Sequence, residues 1–128
     1  MRTRTKVAVM ALAATMILAA APAAHAGGPE VIRRGSCSAG SDWKLKVKPD
    51  DGRLELEFEV DPNVVGQTWN VAIRQDGDRI FSGSRVTQGP SGSFELRRRP
   101  ADTAGTDRFV ARATNPSTGE TCVGRATL

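Results

Sequence analysis

Two runs of strict alternation dominate the middle of the chain. Trp43, Leu45 and Val47 alternate with Lys44, Lys46 and Lys48, and beyond Pro49-Asp50-Asp51-Gly52, Leu54, Leu56, Phe58 and Val60 alternate with Glu55, Glu57 and Glu59. A period of two sends successive side chains to opposite faces of a strand, so each run has one apolar and one charged face. Asp-Gly between such runs predicts a tight hairpin, because both central residues of the primed turn need positive φ. With Asp51-Gly52 as the turn, Lys48 opposes Glu55, Lys46 opposes Glu57 and Lys44 opposes Glu59. A four-residue loop would shift the register by two and still set lysines against glutamates. Each such pair is worth a few tenths of a kcal/mol up to about 1 kcal/mol. The three glutamates therefore read as a solvated outer face rather than as catalytic acids or a cation site.

The same period continues to the carboxyl end. Trp69, Val71 and Ile73 share one face of Thr68–Gln75, and Asp76-Gly77 forms a second tight turn before Arg79–Phe81 and a Ser/Gly-rich stretch reaching Val86. Phe94 and Leu96 alternate with polar neighbours, Phe109, Ala111 and Ala113 alternate with Arg108, Val110 and Arg112, and Asn115-Pro116-Ser117-Thr118-Gly119 turns the chain into Thr121–Leu128. Gly27–Ser36 reads as an irregular lead-in, with Val31 and Ile32 adding to an edge strand. No window after Ala26 carries a helical period. About seven short strands separated by turn chemistry predict an all-β antiparallel sandwich over residues 37–128.

Residues 1–26 are of another kind. Arg2, Arg4 and Lys6 precede an almost unbroken apolar run, Val7–Ala21, and Ala24-His25-Ala26 offers small residues for cleavage. These are the three parts of a helical secretory signal, cut after Ala26 or after Ala23. The run is short against the roughly 20 residues of a membrane helix, though a retained anchor is the alternative. Arg2 and Arg4 are split by Thr3, against a twin-arginine signal, and no cysteine follows the run to carry a lipid. The expectation is a secreted protein without an anchor after processing.

This division changes the charge argument. The chain has 18 basic and 14 acidic residues, but three bases and no acids lie in residues 1–26, which leaves 15 against 14. The pI near 9.7 is largely a property of the signal and does not point to nucleic acid. His25, the single histidine, would leave with the signal or stay on a loose amino tail. Either way it is no core or active-site residue. With it goes the commonest general base, triad member and zinc ligand.

Cys37 and Cys122 are the two cysteines, both downstream of the signal. In an oxidising compartment they are expected to pair within the chain, the alternatives being two thiols or an intermolecular bridge. Closing so long a loop is worth about 4–5 kcal/mol in the chain-entropy account.

From Trp69 onward the order of features resembles an immunoglobulin-like domain. Trp69 precedes Asp76-Gly77 as the strand C tryptophan precedes its turn, Ser93-Phe94-Glu95-Leu96 looks like strand E, and Phe109-Val110-Ala111-Arg112-Ala113-Thr114-Asn115 is similar to the strand F pattern Tyr-x-Cys-x-Ala-x-Asn. The resemblance implies a seven-stranded sandwich, with two departures. Phe109 replaces the tyrosine of the tyrosine corner, and Ala111 replaces the strand F cysteine, whose strand B partner would be Leu56 or a neighbour. Cys37 and Cys122 would instead join the first strand, or its lead-in, to the last. The chain downstream of the signal also resembles small exported proteins of high-GC Gram-positive bacteria that have no assigned function.

Candidate chemistry is sparse. Serine nucleophiles lack a histidine, and Lys44, Lys46 and Lys48 belong to the ladder. Paired carboxylates would have to come from Asp50, Asp51, Asp76, Asp78, Asp102 or Asp107, nearly all in turns, where aspartate bonds local backbone. Asp76-Gly77-Asp78 falls short of the six to eight oxygens a calcium ion takes. No enzyme, metal or cofactor is expected. Arg97-Arg98-Arg99 is the densest basic cluster, and with Arg33, Arg34 and Arg85 it is the candidate patch for an anionic wall polymer or an acidic protein. Alternation sends Arg97 and Arg99 to one face and Arg98 to the other. The expectation is a monomeric binding module for an extracellular protein or cell-envelope component, using Asp61–Gln67, Ser82–Gly92 or Pro100–Thr106, or an exposed edge strand. An alternative is a small hydrolase inhibitor that inserts Gly89–Gly92. A further alternative is a structural coat or matrix component.

Overall fold

The computed structural model describes Ile17 and residues 29–128. Apart from Ile17, the signal expected over residues 1–26, with His25, and the first residues of the lead-in, 27–28, lie outside this part. Eight strands follow: β1 (Val31–Ser36), β2 (Asp42–Asp50), β3 (Arg53–Asp61), β4 (Thr68–Gln75), β5 (Asp78–Val86), β6 (Phe94–Arg98), β7 (Arg108–Thr114) and β8 (Thr121–Thr127). They form two antiparallel four-stranded sheets, ordered β1-β2-β3-β6 and β5-β4-β7-β8. The architecture is the all-β sandwich that the alternation predicts, with one more strand. Among the described residues no helix is long and apolar enough to cross a membrane.

The β2–β3 hairpin has the predicted register, with Lys44, Lys46 and Lys48 opposite Glu59, Glu57 and Glu55. Asp51 and Gly52 have φ of 51° and 77°, so both central turn residues are left-handed, as the primed turn requires. Asp76 (50°) and Gly77 (87°) repeat this between β4 and β5. The apolar faces meet in one core of Leu45, Val47, Leu54, Leu56, Phe58, Val60, Trp69, Val71, Ile73, Phe94, Leu96, Phe109, Ala111 and Ala113. Phe94 bridges the layers edge-on to Phe58 and tilted against Trp69, with ring centroids 6.5 and 6.4 Å away.

The extra strand is β1. Residues read as an irregular lead-in pair along their whole length with β2, from Val31 opposite Val47 to Ser36 opposite Asp42. Only Val31 and Gly35 are partly covered, so β1 is held by backbone hydrogen bonds on an edge and shows almost no apolar alternation. A second difference is the length of β5. Ser82–Val86, read as the start of a loop, stays paired with β4. Gly83 leaves room for the Phe81 ring, since a Cβ there would lie 2.9 Å from the ring tip.

The two long sides of the sandwich differ. On one, β1 and β2 approach β8, and the Cys37–Cys122 disulfide ties the start of the β1–β2 turn to β8 across 85 positions of sequence. Trp43 fills this side between Gly35 and Gly124, where added Cβ atoms would lie 2.6 and 2.9 Å from its indole. On the other, β5 and β6 face each other without a pairing between them.

Candidate interaction surface

The strand directions gather the connections at two ends. The β1–β2 turn (37–41), the β3–β4 loop (62–67), the β5–β6 loop (87–93) and the β7–β8 turn (115–120) share one end. The Asp51-Gly52 and Asp76-Gly77 turns and residues 99–107 share the other. Of the three loops expected to make contact, Asp61–Gln67 and the end of Ser82–Gly92 thus come together, while Pro100–Thr106 lies at the opposite end.

The loops at the first end are braced in pairs. Between β3–β4 and β5–β6 the brace is Thr87, almost fully buried. Its hydroxyl donates to the Val64 carbonyl (2.5 Å) and accepts from the Gln67 amide (2.9 Å). Its own amide donates to the Gln67 carbonyl, and its carbonyl accepts from the Gly66 amide, both at 2.9 Å. Gly92 presses against the same loop at φ +72°, where a Cβ would lie 2.5 Å from the Val64 amide nitrogen. No other residue suits that contact. Within the β5–β6 loop, the Gln88 amide donates to the Ser93 carbonyl and the Gly92 amide to the Gln88 carbonyl.

This frame holds apolar side chains out in solvent. Val64 is 49% and Val65 60% exposed, with Val86 (43%) on the strand leading into the paired loop. Pro90 is exposed beside them, and a Cβ on Gly89 would touch the Val65 methyl at 3.7 Å. Such residues cost solvation without contributing to the core.

The second pair of connections is braced by Glu120. Its Oε2 accepts from the Ala39 and Ser41 amides, both at 3.0 Å, and Oε1 accepts from the Ser41 hydroxyl at 2.7 Å. Beside it, the Ser38 amide donates to the Thr121 carbonyl, and the Thr121 amide to the Ser38 hydroxyl oxygen. Burial opposes ionisation of Glu120, but these three donors outweigh it and hold the carboxyl below its ordinary pKa. Asp107 plays the same part at the other end. It accepts from Gln75 Nε2 (2.8 Å), the Thr103 hydroxyl (2.5 Å) and the Thr103 amide (3.2 Å). Burial is again outweighed by hydrogen bonds, and its pKa is lowered.

Arg97, Arg98 and Arg99 line one open recess together with Glu55, but they make different contacts. Arg97, on the outer face, binds Glu95 and reaches Glu57 at 2.9 Å. Arg99 meets the Asp50 carboxylate at 3.3 Å, and its carbonyl accepts from Arg53 Nε and Nη2. Arg98, also exposed, lies over the Phe81 ring at 5.0 Å, with Arg85 over the same ring at 5.2 Å. Arg33 and Arg34 sit on β1, at the far edge of the sheet from β6. The outer face is a charge ladder centred on Glu57, which is buried beneath Lys46 and Arg97. The Lys46 hydrogen bond, against some cost of burial, lowers the Glu57 pKa.

Glu120, Thr87 and the roles of Gly35, Gly92 and Gly124 were not visible in the sequence. Asp107 was grouped with the turn aspartates. Its bond to the Thr103 amide fits that reading, but its burial and its link to Gln75 do not. Among the described residues, every buried side-chain polar atom has a partner, and no group of three His, Cys, Asp or Glu stands close enough to hold a metal. No protein-family model and no curated protein matches this sequence.

Proposed function

We propose that this protein is a secreted, non-catalytic binding module of immunoglobulin-like topology that meets an extracellular protein with the loop end carrying Val64 and Val65. Secretion rests on residues 1–26, which have the form of a signal peptide, and the Cys37–Cys122 disulfide is consistent with an extracellular protein. The topology rests on strand order. Strands β2, β3 and β6 correspond to A, B and E, and β5, β4, β7 and β8 to C′, C, F and G, with Trp69 buried on the strand C equivalent. Strand β1 is an addition at the edge of the A strand.

One observation carries the choice of surface: two adjacent valines are exposed on loops fixed by a dense set of backbone and Thr87 hydrogen bonds. A preformed loop loses little entropy on binding, and apolar anchors on such a frame are how loop-mediated recognition gains affinity. The β5–β6 loop is closed on itself by its own backbone bonds. It does not present the extended segment that a protease reads, so the inhibitor reading gains nothing from it. The test is retention of a partner from extracellular fractions on immobilised domain starting at residue 27. Competition by free domain is the expected result. Equal retention on an unrelated sandwich domain would contradict it.

A further inference from the structure

We propose that the open side between β5 and β6 is a second binding site, which takes an extended acidic polypeptide segment. The segment would pair with the free edge of β5 and place a carboxylate against Arg85 and Arg98.

Three observations converge there. The first is the pair of guanidiniums on one ring, at 5.2 and 5.0 Å from the Phe81 centroid. Arg85 Nη1 donates to the Ser84 carbonyl at 2.8 Å, and the remaining N–H groups of a guanidinium over a ring are the fork that a carboxylate matches. Among the described residues neither Arg85 nor Arg98 has a carboxylate within 4.0 Å, whereas Arg97 and Arg99, on either side of Arg98, both do. Two cations thus share one aromatic ring with no carboxylate in contact among the described residues. Glu55 lines the recess beside Arg98 without pairing with it, and an anion would relieve the repulsion between the two arginines.

The second observation is the neighbouring recess. It is lined by Arg53, Arg98 and Arg99 with Ile80 and Ala101, and no carboxylate lines it. Arg53 and Arg98 carry positive charge from the Phe81 ring toward the Asp51-Gly52 end, Arg99 being paired with Asp50. The third is the strand itself. β5 ends its sheet, so one of its hydrogen-bonding edges has no partner strand. The irregularity in its pairing falls beside Ile73 and Arg74, near its start, and the run from Phe81 to Val86 pairs regularly with β4. Ser82, Gly83 and Ser84 present small side chains, with no lysine or proline to repel an incoming strand. Backbone pairing with an edge plus side-chain recognition is how extended peptides are bound. The free edge favours a polypeptide over a polyanion without backbone donors.

A fluorescein-labelled peptide of four Thr-Glu repeats tests this, followed by anisotropy and by amide shifts of the 15N-labelled domain. Thr-Gln and Thr-Lys peptides of equal length and inorganic polyphosphate are the comparison arms. The expected result is binding of the Thr-Glu peptide, with shifts concentrated in residues 81–86. Affinity should fall at least tenfold for Thr-Gln, and no binding should be seen for Thr-Lys. An R85Q/R98Q variant should lose at least tenfold, while a V64D/V65D variant should bind as the parent does. No binding, equal binding of Thr-Gln, or tight polyphosphate binding without shifts in β5 would overturn the proposal. If R85Q/R98Q does not fold, the peptide arms and shift map on the parent protein decide alone.

Discussion

Glu120 and Asp107 show how much of this fold rests on single carboxylates. Each is buried, and each collects backbone and hydroxyl donors from a connection that would otherwise leave them unpaired. Replacing Glu120 by Ala strands two amide donors and a hydroxyl, a loss of about 2–3 kcal/mol, measurable by chemical denaturation; a loss below experimental error would refute its bracing role. The pH dependence follows from the same contacts. The pKa values of Glu57, Asp107 and Glu120 are lowered from ordinary values of 4.5, 3.8 and 4.5. Between the lowered and ordinary values the unfolded chain binds more protons than the folded one. The stabilisation is thus fully present above the ordinary values and drains away as pH falls through them toward the lowered ones. The melting midpoint should hold from neutral pH to about 5 and fall steadily below about 4.5, with a shallower fall for E120Q. A midpoint that rises on acidification would contradict the assignment. The Lys46–Glu57 pair was legible beforehand, but the role of Glu120 was not. A lone acid in a Ser/Thr/Gly turn gives no sign that it faces a partner some 80 positions away.

At the scale of elements, legibility followed alternation. The β2–β3 hairpin was readable to one of two registers, because Lys and Glu mark one face and Leu, Val and Phe the other, and the structure takes the one set by a two-residue Asp51-Gly52 turn. Trp69, Phe94 and Phe109 fell on apolar faces for the same reason. Strand β1 was readable only at Val31 and Ile32, expected on an edge strand, since Arg-Arg-Gly-Ser after them has no period and is held by its neighbour's backbone. The length of β5 was obscured by Ser82-Gly83-Ser84, whose composition mimics a loop. Two glycines have a role only the assembled sheets disclose: Gly35 and Gly124 form the slot for Trp43. At Gly124 a Cβ would also meet Leu45 Cβ at 3.4 Å, so the indole cannot be displaced toward the core cheaply. Gly124→Ala is therefore expected to cost about 1–3 kcal/mol and to shift tryptophan emission. An unchanged spectrum with unchanged stability would show that Trp43 does not occupy this slot.

For the molecule as a whole, architecture and clasp were accessible from the sequence, while the arrangement of its surface was not. Alternation already parted Arg98 from Arg97 and Arg99, but it did not disclose their separate contacts with a charge ladder, the Phe81 ring and Asp50. Likewise, nothing in the order of Val64-Val65 and Gly92 announces that their loops interlock. The disulfide closes nearly the whole described domain into one loop, so reduction should cost about 4–5 kcal/mol and lower the melting midpoint markedly. Denatured, unreduced protein should show no reactive thiol, and two reactive thiols would remove the clasp from the account.

The proposed contact of the braced loop end with an extracellular protein is decided at Val64 and Val65. Its most direct test compares partner retention by the domain from residue 27 with that by its V64D/V65D variant, both shown to melt at the same temperature. The account predicts one enriched protein on the parent domain, displaced by free domain and absent from the variant. Equal enrichment on the variant would place recognition elsewhere on the sandwich and contradict the claim.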